Sequence, residues 1–270
     1  MSIRMKDVAD YPPDRLAKRG ASIAAVFVVW GVITAVGVPT LPSPRAVADQ
    51  LVALLGTPGY WSAVTVSLTR VYLAFAMAVL TAVPLGILMG WSQPFADLTF
   101  PSFEMLRPIP PIAWLPASIL IMPTLTVWFG VGSVEIKTNV IFITLLGAFF
   151  PILLNTIDGM QDVETEFPRA AKSLGAERLQ VFRHVYLPAS LPAIHTGMVV
   201  GMGLAWVNLV AAEMLAGSGL GYLTWSSYTA GNYATIIVGM ISIGVLGYLS
   251  SSIVRYLGSR YLGWQSDSDE

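Results

Sequence analysis

Between Asn139 and Ile157 the chain reads NVIFITLLGAFFPILLNTI, a run with no charged side chain. A helix rising about 1.5 Å per residue needs roughly 20 apolar residues to cross a hydrocarbon layer about 30 Å thick. In that layer each backbone amide must find its partner within the protein, which restricts the fold to helices packed side by side in a bilayer or to a closed barrel. A barrel strand would alternate apolar and polar residues, and this run does not. Runs of the same kind recur, and six transmembrane helices are expected: Ala21 to Val38, about Trp61 to Trp91, a proline-broken stretch LRPIPPIAWLPASILIM reaching about residue 123, Asn139 to Ile157, about Leu191 to Ala212, and about Tyr233 to Leu257. The fold class is thus an all-α membrane protein. Composition agrees, with 55% apolar residues, 11% charged residues and a mean hydropathy of +0.68. A formal net charge of -1 leaves no basic excess for a nucleic-acid partner. The absence of cysteine excludes disulfides, thiolate metal sites and cysteine nucleophiles.

Residues 1–20 mix both charge signs with two prolines and read as a solvated tail, 21–262 as the membrane domain and 263–270 as a second tail. The first apolar run exceeds the roughly 7 to 15 residues of a signal peptide core, and no A-x-A-like site follows it, so it is expected to stay as a span. Short-loop lysine and arginine set the orientation. With the amino terminus in the cytoplasm, Arg4, Lys6, Arg15, Lys18, Arg19, Arg169, Lys172, Arg178, Arg183, Arg255 and Arg260 fall inside, against Arg45 and Lys137 outside. Both termini of this multi-pass plasma or inner membrane protein are then cytoplasmic. Aromatic residues such as Trp61, Trp91, Trp225 and Tyr233 fall near span ends, where the headgroup layer favours them.

The polar segment 163–188 lies between the fourth and fifth spans. Pro168 suits the first turn of a helix, Glu164 and Glu166 suit its amino end, and Gly175 suits a break, so the segment reads as helix, break, helix. Ala170, Ala171 and Leu174 share one face, and Val181, Phe182 and Val185 another, with Lys172, Arg178 and Arg183 outward. Two readings fit that pattern: a ridge that enters a groove of another protein, and an amphipathic helix lying on the membrane surface.

The stretch RAAKSLGAERLQVFRHVYLPASLPAI resembles the cytoplasmic loop signature of ABC importer permeases, with two alanines, a glycine and a closing LP. LRPIPPIAWLP, FGVG, LGAFFPILLNT and AAEMLAGSGLGYL resemble the subgroup of permeases for nitrate, sulfonate, taurine and bicarbonate. The resemblance covers about residues 45–262 and implies a type I importer fold whose loop is a coupling helix seated in a cytoplasmic ATPase subunit. It further implies two permease copies, with a homodimer expected and a heterodimer as the other arrangement, and an external substrate-binding protein that delivers a small anion or organic sulfonate. On this resemblance Arg169, Ala170, Ala171, Leu174, Gly175, Ala176, Phe182, Leu187 and Pro188 carry ATPase coupling, with Ala170, Ala171 and Gly175 tightly packed and Leu174 and Phe182 anchoring the loop. The sequence departs from the pattern at Arg169, where a glutamate is usual, and at Met122 to Val127, which reads as extra sequence.

None of Lys6, Lys18, Lys137 or Lys172 follows a glycine, so no phosphate-cradling G-x-x-x-x-G-K-[ST] loop is present. No cofactor is expected in this chain, and ATP and Mg belong on the partner ATPase; no H-E-x-x-H or G-x-S-x-G motif points to an enzyme. For the solute path, intramembrane charges and broken helices are the signals. The candidates are Arg107, Pro110, Pro111, Trp114, Asn208 and Glu213, with Arg70 and Glu104 beside them. For Arg107 and Glu104 a local pair at i, i+3 fits as well as a transport role. Arg70 reads more as structural than as an anion contact, and Asn208 more as a partner to a neighbouring helix. The glycines of GMVVGMG, Gly197 to Gly203, form a seam that would suit contact between two copies. The alternative function is a stand-alone channel or secondary carrier, which would need no docking ridge.

Overall fold

Two successive helices open on proline in the computed structural model, which describes residues 25, 28–34, 36–37, 40–129 and 132–261. Pro44 needs no N–H partner at a helix start, and the Ser43 hydroxyl before it accepts a hydrogen bond from the Ala46 N–H at 3.2 Å, so α1 runs Pro44–Leu55. Pro58 likewise stands at the head of α2, Pro58–Trp91, without a capping side chain. There follow α3 (Gln93–Leu106), a 3-10 turn (Pro111–Trp114), α4 (Leu115–Ile121), β1 (Thr124–Phe129), β2 (Gly132–Lys137), α5 (Thr138–Gln161), α6 (Glu166–Ser173), α7 (Arg178–Glu213), α8 (Leu220–Thr229) and α9 (Tyr233–Tyr261). One π-helical turn, Phe182–Tyr186, is built into α7.

Among the described residues, α2, α5, α7 and α9 are long and apolar enough to cross a membrane, and they match the second, fourth, fifth and sixth expected spans. The first expected span lies partly outside the described residues, within which 28–34 are helical. Both tails, 1–20 and 263–270, and the middle of the FGVG stretch, residues 130–131, also lie outside them.

The third span needs correction. It begins at Gln93, not near Leu106, because Ser92 is enough to reverse the chain after α2 and Pro94 then starts α3. Gln93, Ala96, Asp97 and Phe100 line one cleft with Leu154, Ile157, Asp158 and Gln161 of α5. Further along, Phe103 stacks on Phe149 at 5.7 Å and Trp114 meets Phe142 edge-on at 6.5 Å. So α3, the 3-10 turn and α4 form one broken segment antiparallel to α5. The break is where Pro108, Pro110 and Pro111 remove amide donors and disfavour helix at the residues before them.

The extra sequence at Met122 to Val127 leads into a hairpin, with Thr124 opposite Lys137 and Phe129 opposite Gly132. It is the one strand pair among the described residues of an otherwise helical membrane fold. We call its end of the bundle the far end, and the end holding α6 the loop end.

The core is organised around α5. Ile143, Ile152, Leu153 and Met160 are fully enclosed, and α2 and α7 approach α5 closely because they present glycine to it. A Cβ at Gly86 would lie 2.7 Å from Thr156 Cβ, one at Gly197 2.8 Å from Asn155 Cβ, and one at Gly201 2.9 Å from Ile152 Cγ1. Gly197 and Gly201 therefore pack α7 onto α5 of the same chain. That corrects the expectation of a seam between copies; Gly203 alone of the three has open space beside it.

Candidate functional site

The helix, break, helix reading of the loop holds in detail. α6 ends in a Schellman turn: the Ala176 N–H donates to the Ala171 carbonyl and the Gly175 N–H to the Lys172 carbonyl, both at 3.0 Å. Gly175 adopts φ +87°, the left-handed conformation that this cap demands and glycine tolerates best. α7 then opens on a capping box, in which Glu177 and Gln180 each satisfy the other's backbone N–H.

The loop is fastened to the body by aromatic contacts. Trp91, at the last position of α2, meets Phe182 at 4.9 Å and Tyr186 at 5.0 Å, both edge-on, and the Arg178 guanidinium stands 5.4 Å from its ring centre. Val181 is buried beneath. Phe182 packs on Trp91, whereas Leu174, the other residue expected to anchor the loop, is 89% exposed in this chain. Arg169, Ala170 and Gly175 are exposed too, Ala171 and Ala176 half-buried, so the positions expected to be tightly packed are not packed within this chain. Leu187 and Pro188 are half-buried where α7 enters the bundle. Phe167 and Leu179 share the exposure of Leu174, leaving an apolar surface on an otherwise polar segment.

At the far end, two charges singled out separately in the sequence are partners. Arg70 Nη1 of α2 donates to Glu213 Oε1 of α7 at 2.9 Å, with the residues 2% and 0% exposed. The remaining valences are filled. Ser67 Oγ donates to the carboxylate at 2.7 Å, the Gly221 N–H donates to Oε2 at 3.0 Å, and Arg70 donates to the Ser218 carbonyl and to Ser218 Oγ. The Leu220 N–H in turn donates to Ser67 Oγ. A buried ion pair repays its desolvation only with such a full set of hydrogen bonds. This cluster ties α2 to the end of α7 and to the turn that starts α8. The Glu213 carboxylate, a candidate for the path, is enclosed and committed to protein donors in this conformation. The pairing escaped sequence reasoning because its partners are 143 positions apart; the rule that intramembrane charges seek one another was the available signal.

The other path candidates lie elsewhere. Arg107 and Pro110 are exposed, and Pro111 and Trp114 half-buried. Glu104 and Arg107 form no ion pair in this conformation among the described residues. Asn208 donates to the Leu204 carbonyl of its own helix and covers Gly147 of α5, so it is a packing residue between neighbours. Among the described residues no group of carboxylates and histidines could hold a metal ion.

A bundle of long apolar helices with a capped polar helix pair at one end is the architecture of a membrane-embedded protein. Residues 82–263 match the family of the binding-protein-dependent transport system inner membrane component. A putative ABC transporter permease protein of Methanocaldococcus jannaschii is 41% identical over 83% of this chain and 82% of that protein. The nitrate import permease protein of Synechocystis is 32% identical over 92% and 90%, and the taurine transport system permease protein of Escherichia coli 33% identical over 91% and 89%. The chain belongs to this family of multi-pass inner membrane permeases of ABC transporters.

Proposed function

We propose that the chain is the membrane-spanning subunit of an ATP-driven importer, working as one of two copies, and that an ATPase subunit docks on the α6–α7 segment. The observation that carries this reading is the apolar surface of Phe167, Leu174 and Leu179, displayed on a segment whose shape is fixed by a Schellman turn and a capping box. A surface helix of the membrane would have no use for so rigid a break. The loop end is then cytoplasmic, as the lysine and arginine bias requires, and the far end receives an external binding protein. ATP and Mg belong to the ATPase. Closure of two ATPases would draw two such loops together and turn the path from inward- to outward-facing. Arg169, placed where the family's glutamate is usual, leaves apolar contact rather than an ion pair as the main adhesion.

The solute is a small anion or organic sulfonate. The support is that the relatives include permeases named for nitrate, taurine and bicarbonate. Affinity purification of the tagged chain from native membranes in mild detergent, with mass spectrometry of the recovered proteins, tests the docking. An ATPase at one copy per permease, lost with Gly175→Asp, is the expected outcome; a chain recovered alone would overturn it. Calorimetric titration of the partner binding protein tests the solute class, and affinity only for cations, sugars or peptides would refute it.

A further inference from the structure

The break between α3 and α4 lies inside the membrane crossing. Phe103 stacks on Phe149 just before it and Trp114 meets Phe142 just after it, so residues 104–113 run beside α5 residues 142–149. At about 1.5 Å per residue, that part of α5 lies about 6 to 17 Å from the far end of a helix about 36 Å long. Centred on a hydrocarbon layer about 30 Å thick, it is within the layer, on the far side of its midpoint.

Two features there are incompatible with lipid. Arg107 is exposed and its guanidinium makes no hydrogen bond or ion pair among the described residues, although Glu104, also exposed, is only three positions away. Residues 107–110 are irregular backbone and all exposed: the Ile109 and Ala113 N–H groups each donate back three residues, and Pro108, Pro110 and Pro111 have no N–H to give. Lipid can satisfy neither the freed carbonyls nor five guanidinium donors, whereas water can satisfy both. A water-filled space beside this break would satisfy both.

We propose that Arg107 is the anion-recognising group of the translocation path, taking a small oxyanion or sulfonate in a two-pronged hydrogen-bonded contact partway across the membrane. The proposal rests on the importer reading and adds to it the residue and the charge sign by which the path itself selects. Arg70, in α2, is committed to Glu213 and to Ser218, whereas the Arg107 guanidinium is open to a solute.

The chain has no cysteine, so one introduced thiol can be followed without background. Ile109→Cys is placed in the assembled complex and its labelling by an anionic and a cationic membrane-impermeant methanethiosulfonate is timed from the mass of the permease chain. Both the nucleotide-free and the vanadate-trapped complex are measured. Labelling in at least one state is expected, with the anionic-to-cationic rate ratio falling about fivefold when Arg107→Gln is added, the effect of one unit charge roughly 7 Å away in a watery space. Arg107→Lys should keep most of the ratio. A thiol inert in both states would mean a lipid-facing or copy-to-copy surface and would overturn the proposal, as would a ratio that Arg107→Gln leaves unchanged. Copurification of the ATPase, scored in the same samples, reports the importer reading separately.

Discussion

Arg70 and Glu213 show how an isolated residue type misleads until its neighbours are known. Breaking a buried pair by removing one partner strands the other charge, at a cost of about 3–5 kcal/mol. Arg70→Met and Glu213→Leu should each destabilise the chain on that scale in thermal unfolding in detergent, while the double substitution recovers a large part of the loss. Purely additive losses would contradict the pairing. The glycines offer a second comparison. A Cβ at Gly219, φ +100°, would run into the Glu213 carboxylate, whereas a Cβ at Gly175 meets nothing within 4 Å. Gly175→Ala should therefore incur only the backbone cost, about 1–2 kcal/mol, and Gly219→Ala clearly more; equal losses would mean that the ion-pair cluster is slack. Arg70 and Glu213 were both legible as unusual residues in the sequence. Their union was not, since nothing local joins positions 143 apart.

At the scale of the element, what was legible followed from local rules. Gly175 marked the break of the loop because only one backbone conformation closes that helix cheaply, and long apolar runs marked α2, α5, α7 and α9 because hydrocarbon leaves few alternatives. The third crossing was misplaced because its first half, Gln93–Leu106, is mildly polar and three prolines drew attention to the wrong end. Its register on α5 is set by contacts distant in sequence, Phe103 on Phe149 and Trp114 on Phe142. The seam of Gly197 and Gly201 was seen, but a sequence does not say which neighbour a small face will meet. The Trp91 contact was likewise invisible, as it joins the end of one helix to the start of another. Under the proposed docking, Trp91 would be the point where movement of the loop reaches α2. Trp91→Ala is expected to lower uptake per ATP hydrolysed several-fold in reconstituted vesicles, with the ATPase still bound, while Trp91→Phe preserves most of the coupling. Loss of ATPase binding in Trp91→Ala would instead make the residue a part of the docking surface.

For the whole molecule, the relevant dimension is the length of α7. Its 36 residues run from the capping box at the loop end, through the Trp91 contact, along the glycine-packed face of α5, to the carboxylate that holds the far-end turn. At about 1.5 Å per residue this is a continuous helix of about 54 Å. In proteoliposomes, uptake should require ATP, the ATPase and the binding protein together; uptake by the chain alone, driven by an ion gradient, would favour a carrier. One rod in contact with both ends also carries a thermodynamic obligation. Whatever factor a seated ATPase applies to the affinity of the far end for its loaded binding protein, the binding protein must return to the ATPase, because both ligands work against the same free-energy difference.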